Sequence, residues 1–293
     1  MDDNRKRQYF AELAPKYNIL TGNTTQDIFA KWLDSNADTL EITSSSIIHD
    51  NASGPGTATQ VLVEHATKAD TLPTVVATDY APGMINHLNN IIASQSASKP
   101  AWTKVSARVI DSSDLSSIPD DHFTHGISNF SLFTITNPIQ SLRETYRTLA
   151  PGGTAVVLLW KRYAVQDILA RAQDIVKGEG YAKEHAVPVN GPQYFEEGIV
   201  ESQMAEAGFE GGRMATSVVE YVLKESEVGS ADRWKWGGLV EYLTGSSIAA
   251  GSTRGWSEEE VSRWPVAVNE ALKGEQTEYG GVKFESWVTV AKK

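Results

Sequence analysis

The chain has 293 residues, 41% of them hydrophobic, which is enough for one large packed domain or two small ones. Its formal net charge of −11 at pH 7 repels a phosphate backbone and argues against nucleic acid as the main partner. Cysteine is absent, which excludes disulfides, thiol nucleophiles and thiolate zinc sites. We see no secretory leader and no apolar run near the roughly 20 residues of a membrane span. We therefore expect a cytoplasmic, soluble protein that meets no membrane.

Hydrophobic residues at helical spacing predict two amphipathic helices before the first strand. The simpler interpretation is that both pack against the sheet. The alternative is that Tyr17 and its neighbours cover a ligand pocket. The two sets are Tyr9, Phe10, Leu13 and Tyr17, and Ile28, Phe29, Trp32 and Leu33.

The first predicted strand, Ser46 to Asp50, leads into a loop of small residues and then into a helix around Gln60. Small residues let the backbone approach a ligand closely, and glycine can adopt the positive φ angles of such a turn. Dinucleotides and S-adenosylmethionine are both bound this way. The dinucleotide pattern requires glycine at its sixth place, which is Thr59 here. An acid followed by small residues at alternate positions favours S-adenosylmethionine, and this pattern is formed by Asp50, Ala52, Gly54 and Gly56. The alternative is an ordinary strand-to-helix connection.

A second buried strand, Thr74 to Thr78, ends at Asp79. In a doubly wound sheet this position lies beside the first turn, where a carboxylate can accept both ribose hydroxyls of an adenosine. Alternatively, Asp79 only caps the next helix. Asp111 and Ser112 follow the third strand, where they either contact adenine or simply form a turn.

The fourth predicted strand, His122 to Asn129, ends at Asn129 and Phe130. His122 and His125 face opposite sides of that strand, so we expect no metal site. A helix from Pro138 to Leu149 and a Pro-Gly-Gly break precede the apolar strand that ends at Trp160.

Residues 225–280 differ in composition, because four of the eight tryptophans lie there: Trp234, Trp236, Trp256 and Trp264. Ser257 and Glu260 form a predicted capping box at the start of a helix. We expect Pro265 to kink or interrupt that helix and Gly274 to end it. A final strand is predicted over 282–290.

Taken together, these elements resemble the class I S-adenosylmethionine-dependent methyltransferases. The chain is similar in particular to the fungal small-molecule branch that tailors secondary metabolites, including the thiol methyltransferases of epidithiodiketopiperazines. The resemblance is carried by three stretches in order: Asp50 to Gly56, Asp79 to Met84, and Arg143 to Gly153. It implies an α/β, Rossmann-like, doubly wound sheet of seven strands whose last strand is antiparallel.

The sequence has no internal repeat and no low-complexity linker, which favours one domain with a helical insertion over two independent domains. The resemblance assigns roles to its residues. Residues 1–45 would be a helical cover, 46–224 the cofactor-binding core, 225–280 a helical cap and 281–293 the last strand. The methionine part of the cofactor would be held by Asp50, Asn51, Ala52, Gly54 and Gly56, and the ribose by Asp79. The adenine would be contacted by Tyr80, Met84, Asp111 and Ser112. Beside the reacting methyl would lie Asn129 and Phe130. Ala52 replaces the usual first glycine, and Ser53 stands where thiol-methylating relatives can carry cysteine.

We therefore expect transfer of a methyl group from S-adenosylmethionine to O, S or N of a small, aromatic or polycyclic acceptor. The candidate acceptor contacts are Tyr17, Trp160, Trp234, Trp236 and Tyr242; the tryptophans could equally serve a subunit interface. No sequence pattern selects a general base. The rival hypotheses are a cyclase or non-methylating protein on the same fold, and a nicotinamide oxidoreductase.

Overall fold

The computed structural model describes residues 3–185, 191–225, 233–245 and 247–293. Within them, seven strands form one mixed sheet. The strands are β1 (Ile47–Asn51), β2 (Thr74–Asp79), β3 (Val105–Val109), β4 (Phe123–Asn129), β5 (Leu149–Arg162), β6 (Met214–Leu223) and β7 (Val282–Lys292).

Their order across the sheet is β3-β2-β1-β4-β5-β7-β6. Strands β1 to β5 pair in parallel, whereas β7 runs antiparallel to both β5 and β6. This confirms the predicted seven-stranded α/β sheet with an antiparallel last strand. The order reverses between β1 and β4, and ligands bind beside the carboxyl ends of strands at such a reversal.

Along the chain, the described α-helices precede the first strand or lie between strands. They are α1 (Asp3–Leu13), α2 (Tyr17–Leu20), α3 (Thr24–Leu40), α4 (Thr57–Lys68), α5 (Pro82–Ser96), α6 (Pro138–Thr148), α7 (Ala164–Lys177), α8 (Tyr181–His185), α9 (Ile199–Ala207), α10 (Arg233–Gly245), α11 (Ser247–Ser252) and α12 (Glu258–Tyr279). Helices α10, α11 and α12 lie between β6 and β7 in the chain, as the sequence predicts for residues 225–280.

Strand β5 shows how the sheet divides the core, because its successive side chains point to opposite faces. Val156, Leu158 and Trp160 belong to the cluster that holds buried residues of α3, α4, α7 and α12. Ala155 and Val157 belong to the second cluster, with buried residues of α6 and α9. Both faces of the strand are therefore covered, as its continuous apolar sequence requires.

Helix α12 shows that Pro265 does not interrupt the helix and that Gly274 does not end it. It begins at the expected capping box, in which Ser257 and Glu260 bond each other's backbone N–H groups, but it runs unbroken through Pro265 and Gly274 and ends at Gly280. Trp264, Val268 and Leu272 are among its buried residues. Burial of this apolar face outweighs the local cost of a proline and a glycine, because tertiary packing supplies most helix stability in proteins.

The two buried histidines, one in β1 and one in β4, make hydrogen bonds and ring contacts within the fold. His49 is fully buried, stacks on Phe123 with ring centroids 4.5 Å apart, and hydrogen-bonds Thr78 Oγ1 through Nε2 at 2.8 Å. His125 Nε2 donates to the Leu40 carbonyl at 2.6 Å. No described helix is long and apolar enough to cross a membrane.

Candidate active site

The loop between β1 and α4 has an unusual backbone. Ala52, Gly54 and Gly56 all adopt positive φ angles, of 54°, 55° and 88°. For alanine this region costs on the order of 1–3 kcal/mol. A Cβ atom at Gly54 would meet nothing within 4 Å, whereas one at Gly56 would lie 2.5 Å from Leu88 Cδ1. Gly54 therefore leaves open space beside the loop, and Gly56 lets α4 pack closely on α5.

Asp50 anchors this loop from behind. Its Oδ2 accepts hydrogen bonds from the Thr59 N–H at 2.9 Å and from Thr59 Oγ1 at 2.6 Å. The side chain is fully buried, and this burial raises the pKa of Asp50 to about 6 against the opposing effect of the Thr59 hydrogen bonds. Asn51 is also turned inwards, where its Nδ2 donates to Thr145 Oγ1 at 3.4 Å. These two residues hold β1 to its neighbouring helices.

Asp79, by contrast, lies where the sequence expects a ligand contact. Its Oδ2 accepts from the Gly54 N–H at 2.9 Å, and its Oδ1 accepts from the Ala81 N–H at 2.8 Å. Burial raises the pKa of this carboxyl, while the two backbone N–H groups and the charge of Arg7 lower it. The second strand end is thereby fastened to the loop after the first.

The fourth strand end carries a second strained residue. Phe130 has a φ of 53°, and its ring lies 4.1 Å from that of Trp160 between centroids. Next to it, Asn129 Nδ2 donates to Thr57 Oγ1 at 3.2 Å, and Asn129 Oδ1 is buried without a hydrogen-bond partner. An unpaired buried acceptor is costly, so a polar ligand that donates there would be favoured.

A single cavity of about 650 Å³ joins these strand ends. Its size falls within the range of ordinary small-molecule sites. Most of the predicted site residues line it: Tyr17, Ala52, Gly54, Asp79, Tyr80, Met84, Asp111, Ser112, Asn129, Phe130, Trp160 and Tyr242. The predicted residues Asp50, Asn51, Gly56 and Trp236 are not among its described lining residues.

The N-terminal helices cover this cavity on one side. Tyr9, Phe10 and Leu13 line it together with Tyr17. Arg7 Nη1 donates to the Tyr80 carbonyl at 2.9 Å, and the guanidinium carbon lies 5.2 Å from the centre of the Tyr80 ring. The cover is therefore fastened to the residue after Asp79.

The opposite end of the cavity is aromatic. Trp160 lies 5.0 Å from Tyr163 and 5.5 Å from Phe284 between ring centroids. The hydroxyl groups of Tyr163 and Tyr242 are hydrogen-bonded, and burial raises the pKa of both tyrosines. Both side chains are therefore neutral phenols at physiological pH and contribute uncharged aromatic surface to this end of the cavity.

The sequence analysis missed several residues that line the cavity, namely Tyr163, Asp167, Leu239, Ile248 and Phe284. Three of these residues share a position that could have indicated them. Tyr163 and Asp167 follow the carboxyl end of β5, and Phe284 lies at the same edge of the sheet, where the antiparallel strand β7 begins. The side chain of Trp234 lies outside the described part of the chain. Trp264 is core, with its Nε1 donating to the Leu243 carbonyl at 3.0 Å.

Charge in the cavity has one sign. Among the described residues, three carboxylates line it, Asp79, Asp111 and Asp167, and no lysine, arginine or histidine does. Nor do the described residues contain a cluster of three or more side chains suited to a metal ion. This lining favours a cationic or neutral ligand over an anionic one.

Comparison with known proteins adds independent information. Residues 49–157 match the family described as a methyltransferase domain. The chain is 34% identical to the methyltransferase ucsB of Acremonium sp. over 129 residues, covering 42% of this chain and 44% of that protein. It is 27% identical to the methyltransferase tpcH of Aspergillus fumigatus over 116 residues, covering 39% of each. The matches span less than half the length of these two curated relatives.

Two solved structures share the fold over most of the chain. The MccD protein has a TM-score of 0.51 and 14% identity, covering 89% of this chain and 96% of its own. The [4+2]-cyclase SpnF has a TM-score of 0.51 and 18% identity, covering 90% of this chain and 81% of its own. At these identities the similarity concerns the fold alone.

The site residues fit S-adenosylmethionine, which is a cation. Asp79 and Asp111 supply negative charge at one end of the cavity, Gly54 leaves open space beside the loop, and Asn129 offers an unpaired acceptor. Residues 49–157 therefore resemble a methyltransferase domain, and the strand order and the lining of the cavity fit S-adenosylmethionine as its cofactor.

Proposed function

We propose that this protein transfers a methyl group from S-adenosylmethionine to O, S or N of a small aromatic or polycyclic molecule. The cofactor would lie between the β1 loop, Asp79 and Asn129, and the acceptor against Trp160, Tyr163 and Phe284. The names of the two fungal relatives describe methyltransferases, in agreement with this proposal.

The observation that carries the proposal is the continuity of the cavity. It extends from Asp79 at the end of β2 to Trp160 at the end of β5. Those two strands are three neighbours apart in the sheet, or about 14 Å at the usual strand spacing. A site of this length has room for a nucleoside cofactor at one end and an aromatic guest at the other.

When bound, S-adenosylmethionine supplies a methyl group on a positively charged sulfur, and an acceptor atom that attacks the methyl carbon in line displaces that sulfur. The task of the protein is then to align the two reactants and exclude water, and positioning of this kind can supply roughly 7–11 kcal/mol of a barrier. Phe130 and Trp160 are almost fully buried and lie in contact beside the β4 end, where they can fix the plane of an aromatic acceptor.

The test is incubation with methyl-labelled S-adenosylmethionine and a panel of phenols, thiols and aromatic amines. We expect the label to appear in one class of product, and mass spectrometry with NMR then identifies the methylated atom. Carbon is included among the outcomes, because a third relative, 25% identical over 154 residues, is named a ubiquinone/menaquinone biosynthesis C-methyltransferase.

Calorimetry with S-adenosylhomocysteine separates binding from catalysis. Binding without label transfer to any acceptor would support the rival hypothesis of a non-methylating protein or cyclase on this fold. Absence of binding at millimolar concentration, in a protein that remains folded by circular dichroism, would refute the proposed cofactor.

A further inference from the structure

The acceptor end of the cavity contains one carboxylate, Asp167. It lies in the first turn of α7, directly after β5, and its side chain is 44% exposed. The other two lining carboxylates lie on the far side of the sheet reversal, Asp79 as the last residue of β2 and Asp111 just after β3. Asp167 is therefore the charged group nearest in the sheet order to Trp160 among the described lining residues.

The cation next to Asp167 is Arg162, which also pairs with a second carboxylate. Arg162 Nη2 lies 2.7 Å from Asp167 Oδ2, but the same guanidinium is paired with Glu275, at 2.7 Å to Oε1 and 3.2 Å to Oε2. Its Nη1 also donates to the Lys283 carbonyl at 2.5 Å. Glu275 is completely buried and its other cation, Arg171, lies further away at 3.6 Å, so release of Arg162 to a ligand would leave a buried charge poorly compensated.

The wider network keeps an excess of negative charge. Arg171 Nη1 lies 3.6 Å from Glu275 Oε1, and Arg171 Nη2 lies 3.2 Å from Glu278 Oε2. Two guanidinium groups thus face three carboxylates, and Asp167 is the member of the network that lines the cavity. An anionic group that entered here would meet a carboxylate and no available cation.

We propose that Asp167 selects the acceptor: the aromatic substrate carries a hydrogen-bond donor, a hydroxyl or an ammonium group, that faces this carboxylate, and it carries no carboxylate or phosphate there. This inference rests on the proposed function, because it takes the aromatic end of the cavity as the acceptor site. Asp167 acts as a specificity-determining residue, since hydrogen bonds to an ionised acceptor are about twice as strong as neutral ones.

The experiment uses three probes of one size: 2-naphthol, 2-naphthylmethylamine and 2-naphthoate. Their binding is measured by quenching of protein fluorescence and by calorimetry, with and without S-adenosylhomocysteine. We expect the naphthol and the amine to bind at least about tenfold more tightly than the naphthoate, a difference of about 1.4 kcal/mol.

Three variants test the role of the side chain. Asp167→Asn should reduce the preference to within about threefold, because it removes the charge, while Asp167→Glu should retain it. Glu278→Gln is the matched control, because it removes a carboxylate of the same network that is not among the described lining residues; it should leave the preference unchanged.

Naphthoate binding that equals or exceeds that of naphthol in the wild-type protein would overturn the proposal, and so would an unchanged preference in folded Asp167→Asn. The wild-type comparison stands even if that variant does not fold. Absence of S-adenosylhomocysteine binding with an intact probe preference would refute the proposed function, and with it the role of Asp167 in acceptor selection, and would leave only a ligand preference of the cavity.

Discussion

The backbone N–H of Gly54 donates a hydrogen bond of 2.9 Å to Oδ2 of Asp79, which lies 25 positions further along the chain. The contact joins the loop after β1 to the end of β2. A carboxylate that binds this N–H fixes the position of the loop, and it remains at the cavity wall where a ligand can reach it. Loop geometry and ligand affinity should therefore change together when Asp79 is replaced.

Replacement of Asp79 by alanine should weaken binding of S-adenosylhomocysteine by roughly ten- to several-hundred-fold. The physical reason is the loss of hydrogen bonds to a charged group, each worth about 1.5–3 kcal/mol. Calorimetry measures the affinity, and circular dichroism checks the fold. Asp114→Ala, at an exposed turn carboxylate, is the control and should bind normally. Normal binding by folded Asp79→Ala would mean that Asp79 only caps the loop.

The Arg7→Ala variant should release the helical cover. It loses the hydrogen bond to the Tyr80 carbonyl and the contact with the Tyr80 ring, and a cation over an aromatic face is worth about 0.5–2 kcal/mol. We expect S-adenosylhomocysteine to dissociate several-fold faster in stopped-flow measurements. Gln8→Ala, exposed on the same helix, should leave the rate unchanged. Equal rates in both variants would show that α1 does not retain the ligand.

Neighbouring glycines of α10 provide a matched pair for the cap. A Cβ atom at Gly238 would overlap the carbonyl oxygen of Ile19, whereas one at Gly237 would meet nothing within 4 Å. Gly237→Ala should stabilise the protein by about 0.5–1 kcal/mol, the usual gain in an exposed helix. Gly238→Ala should instead lower the midpoint of thermal unfolding, because it forces α10 away from α2. Similar midpoints in the two variants would contradict this packing.

Two adjacent residues of β1, His49 and Asp50, should change the stability of the protein with pH in opposite directions. Burial lowers the pKa of His49 to about 3, so its contribution is present above the unfolded value of 6.5 and is lost as the pH falls. Burial raises the pKa of Asp50 from 3.8 to about 6, so its contribution is present below 3.8 and is lost as the pH rises to about 6. Between about pH 4 and pH 6 the two effects oppose each other.

The Asp50→Asn variant removes the contribution of Asp50 to this pH dependence, so that the contribution of His49 becomes measurable. In urea unfolding between about pH 5.5 and pH 4.5, we expect the variant to lose about 1.4 kcal/mol per pH unit more steeply than the wild-type protein. The asparagine oxygen can still accept from Thr59, which keeps the loop anchored. Parallel slopes in the two proteins would show that Asp50 does not retain a proton in the fold.

The sequence by itself located three strands and the polar residues at or near their ends, Asp50, Asp79 and Asn129. Those features depend on hydrophobic periodicity and on turn chemistry, which act over a few neighbouring residues. The capping box at Ser257 was equally predictable, because its two partners are three residues apart. The part of the cavity that lies beside the ends of β1, β2 and β4 was therefore predictable from the sequence.

Only the tertiary structure decided the rest. It turned Asp50 towards Thr59, carried α12 through Pro265, and left Trp236 outside the described lining of the cavity while bringing in Phe284 from the last strand. It also paired Arg162 with both Glu275, more than a hundred residues away, and Asp167, a carboxylate of the cavity lining. The reason is the same in each case: these outcomes depend on which distant side chains share a volume, and local periodicity carries no information about such contacts.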